Sequence, residues 1–231
     1  MVPYSSVGPG GPRTRLRQPL APQLPKSLTS AKLPEDDLKD EGIYLSLEYM
    51  SADLAGRDVV SIEIDQCRYQ NVNFGQCELD RAVISDSVFS QCDFANLHAR
   101  DCSLVRVQMS GSRMTGLAWT EGGIREVTFE SCGMDMASFR FATLKNVVFS
   151  DCKLARADFQ EADLRGARFE SCDLTGAQLS KAQMEGTRFA DCSLAGINGV
   201  TSLRGAIVKS RDALALTYSL AGALGITIED D

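Results

Sequence analysis

Large apolar residues recur every fifth position through most of this chain. In the stretch DFQEADLRGARFESCDLTGAQL, residues 158–179, they are Phe159, Leu164, Phe169, Leu174 and Leu179. A helix repeats its apolar face at 3.6 residues and a strand at 2, so neither element explains the spacing. The phase holds from about residue 47 to 197, where positions ending in 4 or 9 are large and apolar with Ala99 as the small exception. Two residues before each of them stands a small residue, mostly Ala, Cys, Ser, Thr or Val. Arg57 before Val59 fits this slot poorly.

The pattern predicts a square coil. In each five residues a large and a small side chain point inward and three face water. Four such units complete a circuit of 20 residues, and successive circuits stack at strand spacing, about 4.8 Å. Positions 20 apart should then touch. Positions 89, 129, 149, 169 and 189 are all Phe, with Met109 in the remaining place. Another face carries Ile84, Leu104, Ile124, Leu144, Leu164 and Met184. Seven to eight circuits are expected from the span, on the order of 35 Å of rod. At 97–127 the pattern loosens: Leu97 is large where small is usual and Ala99 is the reverse, which predicts compensated packing. Gly122 leaves room beside Trp119.

The ends differ from the middle. All seven prolines lie in the first 34 residues, together with Gly8, Gly10 and Gly11 and no apolar period. Residues 1–42 are therefore expected to be a disordered, Pro-rich tail. Residues 43–200 form the repeat coil. Residues 201–231 are expected to be a C-terminal cap, a helix followed by a short strand, and a dimerisation segment. Ser210 is placed to cap that helix, Asp212 lies in its first turn, and Gly225 is placed to end it. Ala213, Leu216, Leu220 and Leu224 repeat at helical spacing, and Ile226 and Ile228 alternate as in a strand. A stripe that wide has more to cover than one coil end, so these six residues are the expected dimer interface.

Composition narrows the function classes. The net charge is −7, so no basic surface for direct nucleic-acid binding is implied. No apolar run reaches the roughly 18 residues of a membrane span. All eight cysteines occupy the small inward slot, five of them on one face at 92, 132, 152, 172 and 192. They read as slot-sized buried hydrophobes in a reducing cytoplasm. No C-x-x-C pair occurs and the single histidine, His98, faces outward, so no metal, cofactor or catalytic residue is expected. From residue 43 onward 26 Asp and Glu stand against 18 Lys and Arg. One outer face gathers Asp58, Glu78, Asp80, Asp101, Glu121, Asp158 and Glu161 beside Arg81, Arg100, Arg140 and Lys181, and it is the expected partner-binding surface. Outward Phe141, Met136, Val88 and Val148 are a second, weaker contact surface.

The stretches ADLAG (52–56), ADFQE (157–161), ADLRG (162–166) and CDLTG (172–176) resemble the A-(D/N)-L-x-x motif of the pentapeptide repeat family. That resemblance implies an all-β, right-handed quadrilateral parallel β-helix. The tail SLRGAIVKSRDALALTYSLAGALGITI (202–228), with its Leu224-Gly225-Ile226, is similar to the C-terminal segment of the fluoroquinolone-resistance class of that family. The unbroken register lacks the projecting loops of plasmid-borne members and resembles the loopless chromosomal ones. What this class implies is a homodimeric, DNA-mimicking binder of DNA gyrase or topoisomerase IV, with a link to quinolone resistance. A rigid scaffold for another protein partner, with no topoisomerase role, is the alternative that the residues leave open.

Overall fold

The computed structural model describes residues 17–229. It is a parallel β-coil closed at its far end by a short helical segment. Ten strands stack along the longest path. They start at Thr29–Ser30 and Leu47–Met50, pass through the long strands Ser103–Ser110, Gly123–Glu130 and Thr143–Ser150, and end at Ile207–Val208. Register advances by 20 residues per rung, pairing Tyr49 with Tyr69, Tyr69 with Phe89, Phe89 with Met109, and so on to Phe189. Strands at both ends lengthen the stack beyond the circuits the repeat predicts: Thr29 pairs with Leu47 and Phe189 with Val208. A second side is the four-stranded sheet of Asp58–Val60, Glu78–Asp80, His98–Arg100 and Ala118–Thr120. The fold class inferred from the five-residue period is the one found.

The coil is held by what it stacks. Rings of Tyr49, Tyr69 and Phe89 lie face to face with centroids 4.6 and 4.7 Å apart. Phe129, Phe149, Phe169 and Phe189 continue the column at 4.9, 4.9 and 5.1 Å. Each such pair contributes about 0.5–1.5 kcal/mol beyond the area it buries. The cysteines fill the small slots, all free and buried. Their thiols donate to carbonyls in the adjacent rung, Cys152 Sγ to Phe129 O and Cys172 Sγ to Phe149 O. Burial pushes the Cys92 and Cys102 thiols up to about 11, which keeps them protonated.

Corners are turned by residues at positive φ, among them Arg106 (53°), Glu126 (57°) and Asn146 (51°). Such a conformation costs a non-glycine residue roughly 1–2 kcal/mol, which only a repeated core can sustain. It lines up corner side chains 20 apart in outward columns. The loosened stretch packs as expected: Leu97 and Ala99 are both buried. Gly122 is required, because a Cβ there would lie 2.7 Å from the Trp119 indole nitrogen and 2.3 Å from Cys102 O.

The N-terminal segment corrects the expectation of a disordered tail over 1–42. Residues 1–16 lie outside the described residues. Residues 17–31 run as a strap along one corner of the coil, and residues 32–42 close its first rung. Leu38 is buried in the core. Asp37 accepts two bonds from the Arg57 guanidinium at 3.0 and 2.9 Å, while the Tyr44 and Tyr49 hydroxyls donate to Asp37 O and Asp36 O. Arg57, the poor fit to the small slot, is therefore a tie to the cap. The composition misled because the acids here reach the coil, Asp37 to Arg57 and Asp40 to the Val60 N–H, as well as their neighbours in sequence.

Two C-terminal details also differ. Ser210 is the first helical residue rather than a cap, and no side chain caps this helix. The helical segment runs from Ser210 to Ala223. It ends as expected at Gly225 (φ 71°), with Ile226 N–H donating to Ala221 O and Gly225 N–H to Gly222 O. Ile226 and Ile228 are not in a strand. The strand that pairs with the last rung, at Phe189, is Ile207–Val208, ahead of the helical segment.

Candidate functional site

The seven acids singled out from the sequence share one flank of the coil. Asp58, Glu78 and Asp80 come together with His98, Arg100 and Thr120 around a shallow depression floored by Ala99 and Ala118. The ladder aligns them: Asp58 pairs with Glu78, Glu78 with His98, and His98 with Ala118. Asp101 and Glu121 stand at the adjoining corner, both at positive φ. Asp158 and Glu161 lie farther toward the C-terminal end.

Much of this charge is answered within the chain. Asp80 pairs with Arg81 at 2.6 Å and with Arg100 at 3.3 Å. Glu78 faces His98 Nδ1 at 3.0 Å. Asp158 meets Arg140 at 3.6 Å and Glu161 meets Lys181 at 3.1 Å. Asp58, Asp101 and Glu121 form no ion pair among the described residues. The flank is open to solvent, its carboxylates set around a shallow depression and not in an enclosed cleft. No group of His, Cys, Asp or Glu suited to a metal ion occurs among the described residues.

A second surface, unforeseen in the sequence, lies at the corner built from positions 86, 106, 126 and 146. Here the strap meets the coil. Leu20 N–H donates to Glu126 at 2.8 Å and Gln23 N–H to Asp86 at 3.0 Å. Arg17 reaches Glu126 at 3.1 Å, Asn146 Nδ2 donates to Gln18 O, and Arg168 donates to Gln18 Oε1 at 2.9 Å. Outward-facing groups are buried as a result: Asp86 is 6% exposed, Arg168 3% and Val148 5%. The Arg106 guanidinium beside Asp86 holds its carboxyl below the usual carboxylate range. Burial pulls Arg168 below the usual arginine value. Val148, read as part of an open contact surface, is covered; Phe141 and Met136 remain exposed, with Arg140 over the Phe141 ring. A signal for the strap was present: Pro19, Pro22 and Pro25 stand three apart, the period of a polyproline helix.

The expected dimer residues divide. Leu216 is buried and belongs to the core, so it covers its own coil end. Leu220, Leu224, Ile226 and Ile228 are exposed, as is Ala213, and Leu214 and Tyr218 join them. Asp212 is buried and accepts the Cys192 N–H at 3.2 Å, taking the slot that Ser112 fills for Cys92. This carboxylate satisfies a backbone donor at the end of the ladder, a role invisible while it was read only as a first-turn acid.

YisX of Bacillus subtilis (strain 168), itself uncharacterized, is 22% identical over 124 residues, 54% of this chain and 58% of its own length. The chain thus spans a little over half of that relative. Among solved structures, a trypsin-treated form of QnrB1, a plasmid-mediated fluoroquinolone resistance protein, is 18% identical with a TM-score of 0.38. That match covers 81% of this chain and 100% of that one. HetL, a pentapeptide repeat protein involved in heterocyst differentiation regulation from the cyanobacterium Nostoc sp. strain PCC 7120, is 19% identical with a TM-score of 0.26. It covers 74% of this chain and 91% of HetL. The model of the pentapeptide repeat region matches residues 62–139 and 123–198. With more than half of its length accounted for by that repeat and a coil that advances 20 residues per rung, the chain belongs to the pentapeptide repeat family.

Proposed function

We propose that the protein is a non-catalytic interaction rod that docks its acidic flank into a cationic groove of a protein partner, with DNA gyrase or topoisomerase IV as the first candidates. The observation that carries this reading is the trio Asp58, Asp101 and Glu121, exposed on a rigid flank without internal ion pairs among the described residues. Such charges steer association and keep most of their solvation until a cationic partner arrives. The exposed apolar cluster around Tyr218 and Leu224 supports a homodimer joined through the C-terminal ends, which would double the rod.

Magnitudes limit how far the flank can copy DNA. From Asp58 to Glu161 it spans about five rungs, or roughly 24 Å. Duplex DNA of that length carries about 14 negative charges. The flank's seven acids and four bases leave −3. A groove that binds DNA would therefore meet a weaker, shape-led substitute. The internal ion pairs of Asp80, Asp158 and Glu161 favour the second reading, a scaffold for a partner unrelated to topoisomerases.

Supercoiling by purified gyrase at graded protein and salt separates the two. Inhibition that weakens as salt rises, and that falls at least about tenfold in Asp101→Lys with Glu121→Lys, is the expected result. No inhibition by the wild-type rod at micromolar concentration leaves the scaffold.

A further inference from the structure

The strap and the corner beneath it share a spacing. Polyproline II rises about 3.1 Å per residue, so three residues advance about 9.3 Å. Two rungs of the coil advance about 9.6 Å. The strap uses this match. Leu20 and Gln23, three residues apart and each directly after a proline, donate their N–H groups to Glu126 and Asp86, two rungs apart. Pro19, Pro22 and Pro25 are all half-buried, as is Leu24, while Leu20, Ala21 and Gln23 are exposed. A helix of three residues per turn presents one face in this way. The chain direction is fixed as well, because the strap descends from Arg168 and Asn146 to Ser46 while the coil climbs.

We propose that this corner is a binding groove for polyproline-II segments, occupied here by the chain's own residues 17–28. The ligand it fits is an extended peptide with proline at every third residue and an arginine ahead of the first. The prolines lie against the coil, and the amides that follow them meet the corner carboxylates. Glu126 collects three donors, from Arg17, Leu20 and Asn146, and Asp86 collects the Gln23 amide and Arg106. The resident segment is held by these polar contacts with only partial apolar burial: its prolines, Leu24 and Leu28 are half-buried, none is fully buried, and Leu20 is 48% exposed. A segment held this way can leave without opening the core. What it uncovers is a built site: the Asp86 and Glu126 carboxylates and the buried Arg168. A segment of another protein with the same proline spacing then takes its place.

Full-length chain carrying Leu20→Pro with Gln23→Pro tests this. Both substitutions favour the polyproline conformation and remove the two N–H donors together with two exposed side chains. Trypsin should cut after Lys26 faster than in wild type while the melting temperature of the coil stays in place. A fluorescent peptide of residues 17–28 should bind this variant at least about tenfold more tightly than wild type, whose groove is filled. A peptide of equal composition with prolines four apart should bind the variant at least about tenfold more weakly. Adding Asp86→Asn and Glu126→Gln should remove binding of the first peptide. Unchanged cleavage at Lys26, no saturable binding to the released chain, or equal binding of both peptides would each overturn the proposal.

Discussion

The two ends of the coil solve one problem differently. An open rung leaves unpaired backbone groups and an apolar core facing water. At the N-terminal end, residues 32–42 fold over with Leu38 as a plug, and the polar groups around it are matched: Asp37 by Arg57, Lys39 N–H by the Tyr44 hydroxyl, Asp36 O by Tyr49. At the C-terminal end, Leu216 and Ala221 cover the core and Asp212 satisfies the Cys192 amide, yet the same helix leaves Leu214 78% and Leu224 75% exposed. The N-terminal end closes its core and pairs its polar groups within the chain, although Ile43, Leu45 and Met50 of its first rung stay 73%, 57% and 63% exposed. The other closes its core with a helical segment whose outer side leaves Leu214, Tyr218 and Leu224 exposed, which is why the proposed dimer is placed there.

The largest effect that would break this contrast lies at the C-terminal surface. Leu220→Glu with Leu224→Glu should leave the coil folded and weaken self-association by at least about a hundredfold, since two buried leucines contribute about 1.5–3 kcal/mol each. Light scattering should show the mass of the wild-type dimer halve. A wild-type chain that is already monomeric at high micromolar concentration removes the dimer, and the cluster then awaits a different partner.

Next in size is a pair of tyrosines one rung apart. The Tyr49 hydroxyl donates to Asp36 O at 2.8 Å and belongs to the N-terminal cap. The Tyr69 hydroxyl, one rung inside, is buried and forms no well-aligned hydrogen bond among the described residues, with only the Cys67 thiol, a weak partner, beside it. Tyr49→Phe should therefore cost about 1 kcal/mol, whereas Tyr69→Phe should be neutral or stabilising by up to about 1–2 kcal/mol. Urea midpoints of the two variants decide this, and equal losses would show that the interior hydroxyl has a partner.

How much of this was legible in the sequence depends on range. The coil was, because each of its contacts repeats at a fixed offset: Phe129, Phe149 and Phe169 announce their stacking by spacing alone. Compensation between Leu97 and Ala99 and the space beside Trp119 could be read for the same reason. The strap was not. Leu20 lies 106 residues from Glu126, and no local pattern pairs an amide with a distant carboxylate. Composition then favoured disorder for a segment that borrows its order from the coil. The acidic flank was legible as a position but not as a charge, since register shows that Asp80 and Arg100 share a column but not that they meet. Leu216 and Leu220 have the same helical spacing. Which one faces the coil depends on how the helix docks, and the stripe does not contain that.

The smallest effect tests the finished end by pH. The Arg57 guanidinium beside Asp37 holds its carboxyl below the ordinary value of 3.8. A carboxyl whose folded value is depressed adds stability that is fully present above its unfolded value and lost as pH falls through the folded one. The pair's contribution should thus be complete at neutral pH and fade only below about pH 4. Both partners are about a third exposed, so that contribution is about 0.5–1 kcal/mol, the upper range for a surface pair with two-point geometry. Asp86 and Asp163 are also held low by arginines and lose their pairs in the same window, so wild-type stability alone cannot isolate Asp37. The difference between wild type and Asp37→Asn can. It should be constant from neutral pH to about pH 5 and shrink toward zero in stronger acid. Amide exchange should show residues 32–42 loosening in the variant while the Leu220–Ile228 segment is unmoved. A difference that persists in strong acid would mean that the cap depends on the shape of Asp37 and not on its charge, and the two ends would then differ in packing alone.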